Sequence, residues 1–234
     1  MSLRWCGFVY KLFEHVMGSG QYYPPGCAAI PKNRLFAQFH APQTKHMKEE
    51  ILQQLNSQNS TIRVVFATVA FGMGVDIQTI RQIIHIGPPR TIREYVQETG
   101  RAGRDGGLSK AVLHYNNKDI AQNKPGLQDE VRRYCKNEEC CLRCFLLECL
   151  DVKQPKPLSP GHLCCSVCRN ICSCSDICKD KWYQYHFNLL TMGDVFWWGL
   201  LGSFKYCIHT VLYILFLFIF MQLMPSVDSV HETF

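Results

Sequence analysis

Eleven of the chain's 14 cysteines fall between Cys135 and Cys178. Thiolates this dense serve either as disulfide partners or as metal ligands. The amino terminus, MSLRWCGFVYKLFEH, lacks the charged start, apolar run and small-residue cleavage site of a signal peptide, so an oxidising compartment is not implied and metal ligation is the better reading. Cys165-Ser-Val-Cys168 adds a local argument, because a Cys-x2-Cys hook sets two metal ligands on one turn.

A second chemistry lies upstream. In Gln97-Glu98-Thr99-Gly100-Arg101-Ala102-Gly103-Arg104, two arginines stand three apart around glycines. Both can point at one site across a tight backbone, and a planar guanidinium that stays protonated suits a developing phosphoryl charge. A third pattern is Ala67-Thr68 at the end of a β-branched run, followed by Gly72-Met73-Gly74. Glycine removes the Cβ that would block a phosphate, so backbone amides and the Thr68 hydroxyl can approach one. Each pattern alone has a plain alternative: a surface ion pair for the arginines, a βα turn for the glycines.

The elements that must position these groups follow from periodicity. Residues 5–17 (WCGFVYKLFEHVM) carry apolar side chains at helical spacing and stop at Gly18-Ser19-Gly20. RLFAQFHA reads as a short strand and TKHMKEEILQQL as a helix; RVVFATVA and RQIIHIG read as strands, IREYVQETG as a helix and KAVLHY as a further strand. This alternation predicts the α/β class, with a parallel sheet covered on both faces. From Asn116 the texture becomes polar, then cysteine-rich and helical to Leu150, with a proline linker over residues 154–161. The net charge of +6 suits a polyanionic partner but carries little weight alone. His85, inside an apolar strand, reads as a packed core residue.

Two runs, VVFATVAFGMGVDIQTIRQIIHIGPP and EYVQETGRAGRDG, resemble the fifth and sixth motifs of superfamily 2 helicases, and their wording is similar to the RecQ branch. The resemblance extends from about Trp5 to Cys178. It implies a RecA-like parallel sheet with flanking helices over residues 1–115, lacking its first strand and so exposing a sheet edge. A small helical zinc-binding subdomain over 116–178 and an unassigned apolar tail over 179–234 would follow. The implied activity is that of the carboxy-terminal part of an ATP-dependent 3′ to 5′ DNA helicase in repair and recombination, located in the nucleus. By this resemblance Arg104 is the arginine finger on the γ-phosphate, Arg101 joins the same phosphate cluster, and Gln97 couples nucleotide to nucleic acid. Thr68 and Gly72 contact the DNA backbone, His40 lies at a strand end near the nucleic acid, and Asp76 links the DNA motif to the nucleotide side.

The same resemblance identifies the metal ligands. Cys141-Leu-Arg-Cys144-Phe-Leu-Leu is similar to the helix carrying the first zinc ligand, and Cys164-Cys165-Ser-Val-Cys168 to the hook supplying the other three. The implied set is Cys141, Cys164, Cys165 and Cys168 around a structural Zn2+, with His162 as an alternative to Cys164. Cys144 and Leu142 depart from the family pattern. Cys172, Cys174 and Cys178 are either a second metal cluster or free thiols.

No G-x-x-x-x-G-K-[ST] and no D-E-x-H box occurs in the 234 residues. Without them nothing cradles the β- and γ-phosphates or holds Mg2+, so ATP and Mg2+ are expected only together with a separate first motor lobe, and the chain alone is expected to be inactive. The alternative function is a zinc-stabilised module that binds nucleic acid or protein without catalysis. Residues 206–224 (YCIHTVLYILFLFIFMQLM) are about long enough to cross a bilayer, where roughly twenty apolar residues are needed. A membrane anchor and translated non-coding or fused sequence are both open, and the second is preferred.

Overall fold

The computed structural model describes residues 3–68, 76–173 and 229–233. It divides into two compact units, one of residues 1–80 and 97–107, the other of residues 81–96 and 108–234.

In the first unit, helix α1 (Leu3–Met17) buries Cys6, Val9 and Phe13, the one-sided stripe expected of a helix with apolar residues three and four apart. Phe13 meets Phe66 and Phe36 edge-on at 4.8 and 5.8 Å between ring centres, and the Cys6 thiol donates to the Phe66 carbonyl at 3.1 Å. Strands β1 (Phe36–Phe39) and β2 (Val64–Ala67) pair in parallel, Phe36 opposite Val64 and Phe39 opposite Ala67. Helix α2 (Lys45–Leu55) connects them, and its first turn is capped by the Thr44 hydroxyl, which accepts from the Met47 N–H. Ile51, Leu52 and Leu55 of α2 pack against Phe39 and Ile77.

In the second unit, β3 (Gln82–Ile86) runs parallel to β4 (Lys110–Tyr115). Helix α3 (Ile92–Thr99) begins in this unit and carries its last three residues into the first. Tyr95 of α3 is 1% exposed; it packs against His85, 5.1 Å away between ring centres, which places that histidine in a packed setting. Helices α4 (Asp129–Cys135), α5 (Leu142–Glu148) and α6 (Ser166–Asn170) follow. One apolar cluster joins Tyr95, Leu113, Tyr115, Val131, Tyr134 and Leu142 to Cys164, Cys165 and Cys168, so the cysteine segment shares a core with β4.

The α/β class and its strand–helix alternation are present, with two corrections. Among the described residues the strands form two sheets, a two-stranded one and a three-stranded one, rather than a single ladder. The third strand of the latter, β5 (Ser229–Thr233), lies in the tail that the sequence left unassigned and pairs antiparallel with β4, Ala111 opposite Thr233 and Tyr115 opposite Ser229. The physical reason is the unpaired edge of β4, whose N–H and C=O groups a further strand satisfies. Glu232 fixes β5 there: its carboxylate lies 2.7 Å from both Lys110 Nζ and Arg169 Nη1, and Lys110 is itself buried. Residues 206–224 lie outside the described residues, and among those described no helix is long and apolar enough to cross a membrane.

Candidate functional site

Two groupings of the expected site residues sit in the first unit. At the carboxy-terminal end of the parallel pair, Phe39 and Ala67 are register partners, so His40 and Thr68 are the next residues on adjacent strands. The Thr68 N–H donates to the Phe39 carbonyl at 3.1 Å, holding the two strand ends together past the sheet. Gln43 shapes the turn after β1: its side-chain oxygen accepts from the His40 N–H and its amide donates to the Gln38 carbonyl, both at 2.9 Å. Open α/β sheets bind ligands beyond the carboxyl ends of their strands, and this is such an end. Gly72 lies outside the described residues.

The second grouping joins the two sequence runs. Asp76 Oδ1 accepts from Arg104 Nη1 at 2.7 Å across 28 residues of chain. The loop carrying Arg104 turns tightly after α3. The Arg101 and Ala102 N–H groups return to the Glu98 and Thr99 carbonyls, and the Gly103 N–H donates to the Ile80 carbonyl at 3.0 Å. Gly103 adopts φ 69°, the left-handed region that favours glycine, so this residue type is what lets the loop reverse between the arginines. Arg101 is buried, and burial, with Arg104 beside it, draws its pKa below the ordinary arginine value against the pull of Glu98. Arg104 and Asp76 are exposed, so their ion pair is worth at most about 1 kcal/mol and exchanges readily for another anion. Gln97, in the last turn of α3, is also exposed.

The third grouping belongs to the second unit. The sulfurs of Cys141, Cys164, Cys165 and Cys168 all lie within 4.8 Å of one another, Cys141 and Cys164 being 3.5 Å apart. Tetrahedral thiolate coordination with bonds of about 2.3 Å places sulfurs roughly 3.8 Å apart, so the four cysteines form a cluster that can hold a metal ion. Local structure aims them. Cys141 is the N-cap of α5 and Cys165 the N-cap of α6, where its sulfur accepts from the Cys168 N–H. The Leu158 N–H donates to the Cys164 sulfur at 3.2 Å.

Burial pushes the Cys164 thiol up to about 11 and raises Cys168 as well. Burial acts on Cys141 in the same direction, but hydrogen bonds from the Cys144 backbone and from the Cys164, Cys168 and Cys144 thiols outweigh it and lower its pKa. His162, the alternative ligand, is buried with Nδ1 3.7 Å from the Cys172 sulfur. Cys174 and Cys178 lie outside the described residues. What the sequence reading missed is that Cys144, outside this cluster, acts on its member Cys141; its signal was the departure from the family pattern at that position.

Comparison with known proteins agrees with the motifs. Residues 28–106 match the helicase conserved C-terminal domain. The ATP-dependent DNA helicase RecQ of Pasteurella multocida is 33% identical over 161 residues, covering 63% of this chain and 23% of that protein. RecQ of Haemophilus influenzae is 42% identical over 85 residues, covering 36% of this chain and 13% of that protein. The ATP-dependent helicase SGS1 of Saccharomyces cerevisiae is 34% identical over 139 residues, covering 52% and 10% respectively. Among solved structures, the helicase Lhr of Mycobacterium smegmatis overlaps 51% of this chain and 14% of that one at a TM-score of 0.41 and 23% identity. The chain thus spans between 10% and 23% of the length of these curated relatives. With a helicase conserved C-terminal domain over residues 28–106 and this run of RecQ relatives, the chain is similar to the C-terminal part of RecQ-family superfamily 2 helicases.

Proposed function

We propose that this chain serves as the second motor lobe and zinc module of an ATP-dependent DNA helicase that moves 3′ to 5′ in nuclear DNA repair and recombination. The lobe runs to Tyr115 and the zinc module over residues 116–178. The observation that carries the reading is the Asp76–Arg104 pair, because it joins the end of one helicase motif to the arginine of the other.

In this reading Arg104 rests on Asp76 between turnovers. An incoming γ-phosphate, more highly charged than a single carboxylate, draws it away, and the guanidinium then neutralises charge developing on the phosphoryl group. Breaking a weak exposed pair costs little, which suits a group that must change partners every cycle. Arg101 supports the same phosphate cluster, and Asp76 and Gln97 carry the change towards the DNA side. There the Thr68 hydroxyl and the backbone around Gly72 grip a DNA phosphate, with His40 beside them. ATP and Mg2+ come with the first lobe, since this sequence contains no P-loop.

Zn2+ occupies the four-cysteine cluster. Four protein ligands leave no open position for a substrate, so the ion is structural, and its thiolates tie α5 and α6 to the core shared with β4.

Complementation tests the motor reading. A first lobe bearing the P-loop and D-E-x-H box is added to the chain, and DNA-stimulated ATP hydrolysis is measured. Activity is expected only in the mixture, and Arg104→Ala is expected to reduce it by about 10³-fold or more, the contribution of an arginine finger. Equal activity from Arg104→Ala, or turnover by the clean chain alone, would sink the assignment. Salt-sensitive DNA binding without complementation would favour the non-catalytic binding module instead.

A further inference from the structure

A fifth thiol, that of Cys144, lies close to the four-cysteine cluster and interacts with its member Cys141. Cys144 lies three residues after Cys141, so the two occupy the N-cap and third positions of α5. The spacing of three sets the two side chains on one face of the first turn, where each thiol acts on the pKa of the other. The Cys144 thiol reaches the Pro155 carbonyl at 3.4 Å. Tetrahedral coordination by Cys141, Cys164, Cys165 and Cys168 leaves Cys144 as a thiol in contact with the site but outside the ligand set. Accessibility separates the sulfurs further: Cys164, Cys165 and Cys168 are buried, whereas Cys141 and Cys144 are both half-buried. The two half-buried residues of the site are therefore one helical turn apart, one in the ligand set and one outside it. Among the described residues no disulfide joins any two cysteines.

We propose that Cys141 and Cys144 form an oxidant-sensitive pair, in which a peroxide converts them to a disulfide and so releases the metal. The Cys141 thiolate attacks one peroxide oxygen. The O–O bond breaks, hydroxide leaves, and Cys141 becomes a sulfenic acid. The Cys144 thiol then attacks the Cys141 sulfur; an S–S bond forms, the S–O bond breaks, and the thiol proton leaves with the hydroxyl as water. Two thiol sulfurs are oxidised by two electrons and one peroxide is reduced. Cys164, though 3.5 Å from Cys141, is held as a ligand during the step, whereas Cys144 is free to attack. Three remaining cysteines no longer complete a tetrahedral site. A thiol-disulfide reductant would restore the pair and allow the metal to return. The inference rests on the zinc reading above.

The test uses the full chain loaded with zinc and treated with one molar equivalent of hydrogen peroxide. Zinc release is followed with a metallochromic dye, and the first disulfide is mapped by fragmentation mass spectrometry after blocking free thiols. A Cys141–Cys144 disulfide formed together with zinc release is expected. Cys144→Ser is expected to hold as much zinc as the wild type, to lose that disulfide, and to leave a dimedone-reactive sulfenic acid at Cys141. A first disulfide joining Cys141 to Cys164, or loss of zinc content in untreated Cys144→Ser, overturns the proposal. The same mapping on chain stripped of metal keeps the two readings apart. A chain that never takes up zinc but still forms the Cys141–Cys144 disulfide refutes the zinc reading while retaining the thiol pair.

Discussion

Arg104 and Asp76 matter as a pair because of the residue between the two arginines. Gly103 holds φ at 69° while donating its N–H to the Ile80 carbonyl. A side chain in this region of backbone space costs about 1–2 kcal/mol. Gly103→Ala is therefore expected to destabilise the chain by about that amount and to shift Arg104 away from Asp76. Urea unfolding, together with the ATPase of the complemented mixture, checks it. An unchanged unfolding midpoint would mean that the loop relaxes around the methyl group and that glycine is not required there. At this scale the sequence was informative: the spacing of the arginines around glycines expressed the turn directly. It did not contain the partner, because nothing in the order of residues says that Asp76 closes on Arg104 across 28 positions.

Helices α5 and α6 span seven and five residues. Isolated helices shorter than about 12 to 15 residues are marginal in water, so neither is expected to persist on propensity alone. Their N-caps are cysteines of the metal cluster, which means that a bound ion would fix both helix starts at once. Structural zinc in comparable small modules contributes on the order of 10 kcal/mol. Chelation, or Cys165→Ser, is accordingly expected to remove helical signal and to lower the melting temperature, whereas Cys144→Ser leaves both in place. Circular dichroism with and without chelator reads this, and a melt insensitive to chelation would sink the structural role. The cysteine hook was legible as a ligand pattern. Its link to the core was not, since the pairing of Cys164 and Cys165 with Leu113 and Tyr115 depends on how α4 to α6 fold back over β4.

Over the second unit as a whole, stability is tied to pH through groups buried along β4 and β5. Burial lowers the pKa of His114, with Glu232 opposing and Lys110 reinforcing, and burial also lowers that of His231 against its hydrogen bond to the Cys135 carbonyl. Both are thus neutral in the fold, while the unfolded chain takes up protons near the ordinary histidine value of about 6.5. The unfolded state binds more protons in that window, so their contribution is present above it and is lost as pH falls towards the folded pKa values. Glu232 adds a lower window. Although burial opposes it, Lys110 and Arg169 hold its carboxyl below the usual range, and its contribution disappears only when pH falls through that depressed value. Melting temperature is expected to fall on acidification from about pH 8 to about pH 5, and His114→Gln is expected to flatten the profile. Comparing variant with wild type isolates the histidine from acid loss of metal; parallel profiles would exclude it as the cause.

The sequence by itself determined the α/β class, nearly every strand and helix up to Tyr115, the helicase motifs and the Cys165–Cys168 hook, while the full set of four cysteines came from family resemblance. These are local properties: hydrophobic period, capping chemistry, glycine at turns and ligand spacing are each written within a few residues. Only the tertiary structure decided that the strands divide between two sheets, that residues 229–233 complete the edge of β4, that Asp76 meets Arg104, and that Cys144 stands as a fifth sulfur beside Cys141. Each of these depends on groups that chain folding brings together or on which edge is left unpaired. Hydrogen-bond satisfaction along a sheet and the sharing of one core are settled by the whole chain at once, so neither periodicity nor motif spacing can encode them.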